Sequence, residues 1–167
     1  VDDVAGLPDY GDTPLSYLTQ TTLSVDDTRD MIGALQHRFP EIAGPRGEDV
    51  CYATSNRQEA VKSIVGRCDR MIVIGAPNSS NSVRLVEVAE RSGIPGHLVQ
   101  RGTDVDTSWL DGIGTIGVTA GASAPETLVR EVIDAIAAYR PIHEEVVVTA
   151  EENMIFKLPR GLEAAAN

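Results

Sequence analysis

The run Asn78-Ser79-Ser80-Asn81-Ser82 places five hydroxyl and amide side chains where an apolar stretch, residues 71–75, gives way to an amphipathic one. Such a junction reads as a strand running into a helix. At a helix N-terminus the first N–H groups lack intrahelical partners and the macrodipole presents its positive end, so the chemistry on offer is the binding of an anion, phosphate above all. Ser and Asn add neutral donors there without a Lys or Arg. A second junction has the same form: residues 113–118 read as a strand ending in Thr119-Ala120-Gly121-Ala122-Ser123-Ala124-Pro125-Glu126. Two such loops can converge on one anion. Helix capping accounts equally well for Ser123 and for one of Ser79, Ser80 or Asn81, at about 1 kcal/mol. One cap uses one side chain, however, which leaves most of the Asn-Ser-Ser-Asn-Ser run unexplained.

Two cysteines and three histidines are the other groups able to do chemistry. Cys51 stands just before a helix start, where the dipole favours thiolate over thiol; taken alone, it reads equally as a buried structural cysteine. Cys68 shares the apolar helix face of Ala60, Val61, Ile64 and Val65 and reads as a small core residue. His37, His97 and His143 are isolated from one another and from Cys51, so neither a metal site nor a catalytic triad is expected from them. His143-Glu144-Glu145 reads as a solvated acidic turn, and Trp109 as packing.

These groups need a frame, and hydrophobic periodicity supplies one. Residues 15–18 read as a strand entering a polar turn, with Ser24 and Asp27 spaced as a capping box for a helix over 25–38 whose buried face holds Met31, Ile32 and Leu35. Gly44-Pro45-Arg46-Gly47 is the clearest linker. After it, Ser55 and Gln58 have capping-box spacing, and the helix they open precedes a strand at 71–75. A helix over 81–91 follows, stopped by Ser92-Gly93 and Pro95, then short strands at 97–100 and 115–118. Ser123, Pro125 and Glu126 begin a last helix with the stripe Leu128, Val129, Val132, Ile133, Ile136. The tail holds two extended segments, 146–148 and 154–158, suited to packing on a neighbouring domain. Strands alternating with helices predict an α/β fold with a parallel sheet flanked by helices, and ligands of such sheets gather at the carboxyl ends of the strands. Both Ser-rich loops fall there.

Composition narrows the field. A chain of 167 residues with 42% hydrophobic content buries one core, or one domain and part of another. What precedes the linker, one strand and one helix, is too little to close a layered domain. No apolar run approaches the roughly 20 residues of a membrane helix, and Val1-Asp2-Asp3 lacks the basic start of a signal peptide. A net charge of -11 argues against nucleic acid as a partner. Two cysteines in no metal-binding spacing and too few for a disulfide framework fit a reducing cytoplasm.

Four ordered segments carry a resemblance. Thr19-Gln20-Thr21-Thr22-Leu23-Ser24, Cys51-Tyr52-Ala53-Thr54-Ser55-Asn56-Arg57-Gln58-Glu59-Ala60-Val61, Asn78-Ser79-Ser80-Asn81-Ser82 and Val118-Thr119-Ala120-Gly121-Ala122-Ser123-Ala124-Pro125 are similar to the 4-hydroxy-3-methylbut-2-enyl diphosphate reductase (LytB) family. Glu151-Glu152-Asn153-Met154-Ile155-Phe156-Lys157-Leu158-Pro159 resembles the family's C-terminus, so the likeness covers nearly the whole chain. It implies an oxidoreductase closing the methylerythritol phosphate route to isoprenoids, in which three similar α/β domains surround a 4Fe-4S cluster and each gives it one cysteine. By that resemblance Cys51 is the third domain's cluster ligand, and Thr21 is the threonine beside the substrate hydroxyl and its proton relay. Ser79, Ser80, Asn81 and Ser123 are then the side chains that hold the diphosphate. The partners implied are an allylic diphosphate and an electron donor such as ferredoxin or flavodoxin.

The chain also departs from that pattern. It has no counterpart of the first two domains' cysteines, of the family's histidines or of its proton-supplying glutamate, and Cys68 matches no ligand. The expectation is therefore a C-terminal portion, inactive alone: residues 1–46 ending the second family domain, 47–140 forming the third, and 141–167 an extended tail. The alternative is a stand-alone diphosphate-binding module without redox activity. A generic nucleotide domain fits less well, since neither a Gly-x-Gly-x-x-Gly nor a Gly-Lys-Ser phosphate loop is present.

Overall fold

The computed structural model describes residues 2–45 and 49–151. Three short parallel strands, β1 (Arg70–Ile74), β2 (Gly96–Val99) and β3 (Ile116–Ala120), form a sheet in the order β2-β1-β3. β1 is the centre because its residues are apolar throughout after Arg70: Met71, Ile72, Val73 and Ile74 are fully buried, as a strand covered on both faces must be. Successive residues feed opposite cores. Met71 and Val73 join Val61, Leu85 and Val88 beneath α3 (Tyr52–Val65) and α4 (Ser80–Arg91). Ile72 and Ile74 join Val99, Leu110, Val132 and Ile136 beneath α5 (Glu126–Tyr139) and a 3-10 turn, Thr107–Leu110.

The registers Met71↔Gly96 and Met71↔Gly117 keep the three strands in step. Their carboxyl ends therefore form one edge. α4 leaves β1 on one face of the sheet while α5 leaves β3 on the other, so a crevice opens at that edge between the two strands' loops. Ser92-Gly93 stops α4 as the sequence predicts, with Gly93 in the left-handed region at φ 90°. No helix among the described residues is long and apolar enough to cross a membrane.

Before the sheet lie α1 (Asp2–Ala5) and α2 (Val25–Arg38). The strand expected at 15–18 is a single bridge, Ser16 to Ala43; one pairing partner sustains no ladder, and Leu18 is 83% exposed. α2 has its predicted bounds, and the Ser24 hydroxyl accepts from the Asp27 N–H at 3.2 Å. The reciprocal half of the box is replaced, because the Asp27 carboxylate takes both Arg91 guanidinium nitrogens, at 2.6 and 2.8 Å, which holds its pKa below the usual range. Met31, Ile32 and Leu35 are half-buried rather than core, and Thr28 is the buried residue of α2.

Other boundaries move for physical reasons. α3 starts at Tyr52 with Cys51 as N-cap, so the Ser55–Gln58 box does not form; Ser55 bonds back to the Tyr52 carbonyl from inside the helix. α3 ends at Val65, which places Cys68 in the turn before β1, half-buried, not on a helix face. α5 is capped at Pro125, so Ser123 lies outside the helix and caps nothing. Residues 146–148 carry no regular structure, while 154–158 and the Arg46-Gly47 part of the linker lie outside the described residues.

Gln58, 1% exposed, fastens α2 to α3. Its Oε1 accepts from the Val25 N–H at 3.0 Å and its Nε2 donates to the Leu23 carbonyl at 2.9 Å. Gln58→Ala orphans both backbone groups, and a loss of about 1–3 kcal/mol is expected for an unpaired buried partner. A urea titration checks it: the midpoint falls with an unchanged slope, and an unmoved midpoint rejects this fastening role.

Candidate functional site

The carboxyl edge of the sheet collects the predicted residues through a continuous path of hydrogen bonds. The Cys51 N–H donates to the Thr21 carbonyl at 2.9 Å, which sets Thr21 beside the start of α3. Thr19, two residues earlier, is tied by its N–H and hydroxyl to the Asp49 carboxylate at 2.9 and 3.3 Å. One turn into α3, the buried Thr54 hydroxyl accepts from Asn81 Nδ2 at 3.3 Å. Asn81 Oδ1 in turn accepts from the Ala122 N–H at 2.9 Å, next to Ser123. Thr21, Cys51, Asn81 and Ser123 thus lie along one connected rim.

Asn81 is 6% exposed and its amide is used as a bracket between three elements. The neighbouring serines differ. Ser79 is the N-cap of α4, accepting from the Ser82 N–H at 3.4 Å and from its hydroxyl at 3.1 Å. Ser80 and Ser123 are exposed, and among the described residues their hydroxyls have no hydrogen-bond partner. The first pair of serines is therefore structural in part; the second pair is free to bind something else.

Ser82 carries a duty that residue spacing did not reveal. It is 1% exposed and wedged between the two loops, so that a Cβ on either Gly75 or Gly121 would overlap its hydroxyl. The readable signal was a Gly closing each apolar run, Ile74-Gly75 and Ala120-Gly121. With both glycines bare, the Gly121 N–H reaches the Ile74 carbonyl at 2.8 Å and the loops close up. Beside them lies a cleft of about 500 Å³ that Ser79, Ser82, Ser123 and Pro125 line together with Gln100 and Arg101 from the end of β2. Gln100 and Arg101 had no motif to mark them.

The electrostatics favour an anion at this edge. α3, α4 and α5 all begin here, and neither α3 nor α4 has an acidic residue in its first turn. α5 has one, Glu126, which competes for the same positive end. The histidines stay apart from the edge: His97 sits within β2, stacked on Trp109 at 3.9 Å, and burial followed by the Arg70 charge pushes its pKa down. Trp109 packs as expected.

The donor set decides what metal chemistry this chain holds by itself. Iron-sulfur clusters are bound by several Cys thiolates. Cys51 is the one cysteine at the edge; Cys68 lies past the far end of α3, whose 14 residues span roughly 20 Å. Among the described residues no group of three or more His, Cys, Asp or Glu converges. The residues present do not complete the ligand set of a four-iron cluster.

Comparison with known proteins fits this geometry. The sequence is 58% identical over 166 residues to the 4-hydroxy-3-methylbut-2-enyl diphosphate reductase of Roseobacter denitrificans, covering 99% of this chain and 52% of that protein. It is 58% identical over 167 residues to the reductase of the same name from Ruegeria pomeroyi, covering 99% and 53%. Among solved structures, the E-1-hydroxy-2-methyl-but-2-enyl-4-diphosphate reductase of Plasmodium falciparum superposes with a TM-score of 0.88 at 31% identity, over 98% of this chain and 52% of that one. The chain spans about half the length of the curated relatives it matches. The profile described as LytB protein matches residues 2–137, and the chain belongs to that family.

Proposed function

We propose that this chain forms the diphosphate-holding and single-thiolate side of a 4-hydroxy-3-methylbut-2-enyl diphosphate reductase. The supporting observation is the rim itself: one hydrogen-bonded path joins Thr21, Cys51 and Asn81 to the loop of Ser123, at an edge where three helices present their N-termini. In the overall reaction the allylic C–O bond breaks, the oxygen leaves as water, and two electrons and two protons are consumed. Isopentenyl and dimethylallyl diphosphates result.

The chain's own residues have separable tasks in this reading. The diphosphate lies across the starts of α4 and α5, held by backbone N–H groups and by the Ser79, Ser80, Asn81 and Ser123 side chains. Neutral donors suit a group that must leave again as product. Thr21, its carbonyl fixed by Cys51, turns its hydroxyl toward the allylic alcohol and serves the proton relay. Cys51 would supply one thiolate to a 4Fe-4S cluster, which would bring electron delivery; the further ligands would have to come from other polypeptide. The division into 1–46, 47–140 and 141–167, the cytoplasmic location and a ferredoxin or flavodoxin as electron source rest on the same family likeness.

Ser80 and Ser123 give the cleanest test, since among the described residues neither hydroxyl has a structural partner. Hydrogen bonds to a charged group contribute about 1.5–3 kcal/mol each. Ser80→Ala with Ser123→Ala should therefore weaken inorganic pyrophosphate binding, read by calorimetry, by about a hundredfold or more while leaving the melting temperature in place. Equal affinity in the double variant would remove the phosphate reading of both loops.

A second test concerns the cluster. Supplied anaerobically with iron and sulfide and passed through gel filtration, this chain should retain well under about four irons per monomer, because one thiolate at the edge leaves a cluster mostly unligated. Stoichiometric iron and sulfide surviving the column would show that the ligand set has been misjudged.

A further inference from the structure

Past α5 the chain doubles back along an open side of the sheet. Among the described residues β3 is an outer strand, and the Gly121 N–H to Ile74 bond turns its odd-numbered residues toward β1. By alternation the backbone groups of Ile116 and Val118 face outward. The tail runs beside this edge, and its residues 142–147 form one wall of a groove of about 850 Å³; β3 with Ile64 and Cys68 on one side and Val129 and Ile133 on the other supply the rest.

The tail is clasped there at three points. Arg140 anchors its start, donating from Nη1 to the Leu110 and Ile113 carbonyls at 3.0 Å each. Glu144 then takes a bidentate pair from Arg130 of α5 at 2.7 and 3.1 Å, and Glu145 takes Arg67, just beyond α3, at 3.0 Å. α3 and α5 cover opposite faces of the sheet. Successive residues of an extended chain point to opposite sides, so two adjacent glutamates grip the two layers at once.

We propose that residues 141–147 are an ionic strap across the free edge of β3, latched by Arg130–Glu144 and Arg67–Glu145, and that ionic strength opens it. An uncovered edge strand is a template for pairing with another chain, and a covering segment is one way folds prevent this. This cover is held by charge. All four latch side chains are between 45% and 65% exposed, where ion pairs are weak and salt screens them over about 10 Å at 0.1 M. The latch is consequently a device that dilute salt keeps shut and concentrated salt releases.

Cys68 lies in the groove under the strap and reports on it, while Cys51 on the far edge is an internal control. Burial pushes the Cys68 thiol up, and Arg67 draws it down, so a single labelling rate would mix access with charge. The ratio of labelling by a bulky maleimide to labelling by iodoacetamide cancels the charge effect and reads access. In the wild-type chain this ratio at Cys68 should rise roughly fivefold between low salt and about 1 M salt, with the Cys51 ratio flat. Glu144→Gln with Glu145→Gln should show the high ratio already at low salt and lose the salt response. The charge swap Arg130→Glu with Glu144→Arg should restore the closed ratio at low salt. A Cys68 ratio that is the same in the wild-type and double-Gln chains, or that climbs equally with salt in both, overturns the strap.

Discussion

The candidate site depends on one buried amide. Asn81 joins the first turn of α3, through Thr54, to the loop after β3, through Ala122, and it does so from the first turn of α4. Three chain segments that are 27 and 41 residues away from each other in these pairings are held to a common geometry by a side chain with 6% exposure. An amide is well chosen for this. It offers an acceptor to a backbone N–H and a donor to a hydroxyl with no net charge to desolvate. Aspartate in that place would keep the acceptor, lose the donor and bury a negative charge at the proposed anion site.

The bracket works because the backbone has been cleared around it. Gly75 and Gly121 end neighbouring strands, and Ser82 fills the space that two Cβ atoms would need. Small residues thus set how near the loops of β1 and β3 come, while the apolar strand between the two cores sets their register. Packing and polar recognition are separate layers at this edge: Ser82 is consumed by structure, Asn81 keeps one amide N–H beyond its two bracket bonds, and Ser80 and Ser123 remain available. A loop rich in Ser and Asn is therefore neither all cap nor all ligand.

Much of this was legible in residue order. The three strands of the sheet, α4 and α5 follow from periodicity with their stop signals, because each has a buried face dense enough to mark its phase, while α2 follows from its Ser24 cap. The failures share a cause. The strand expected at 15–18 has a single partner residue in Ala43, and a ladder is a property of the partner as much as of the strand. The capping box at Ser55 and Gln58 had the right spacing but the wrong helix phase: α3 begins at Cys51, and Gln58 spends its amide on α2 instead. Thr54 and Arg101 were invisible because their roles come from where distant segments meet. Motif resemblance located Thr21, Cys51 and Ser123; only the hydrogen-bonded path shows that they share an edge.

An acidic chain proposed to bind a diphosphate poses an electrostatic question with a distance in its answer. The net charge of -11 is spread over the surface and is screened beyond about 8–10 Å at ordinary ionic strength. Oriented N–H groups and hydroxyls act at contact, where no ions intervene. The first turns of α3 and α4 have no carboxylates, whereas the acids of the first turn of α2, Asp26 and Asp27, are engaged by Lys62 and Arg91 away from the rim. Carboxylates have been kept off the first turns of α3 and α4, though not off that of α5. The same separation accounts for Arg130 and Arg67, which are occupied by tail glutamates rather than turned toward the loops. An anion arriving at this edge would meet mostly dipoles and hydroxyls, with Arg101 as the fixed positive charge in the cleft lining and Glu126 and Glu131 opposing it.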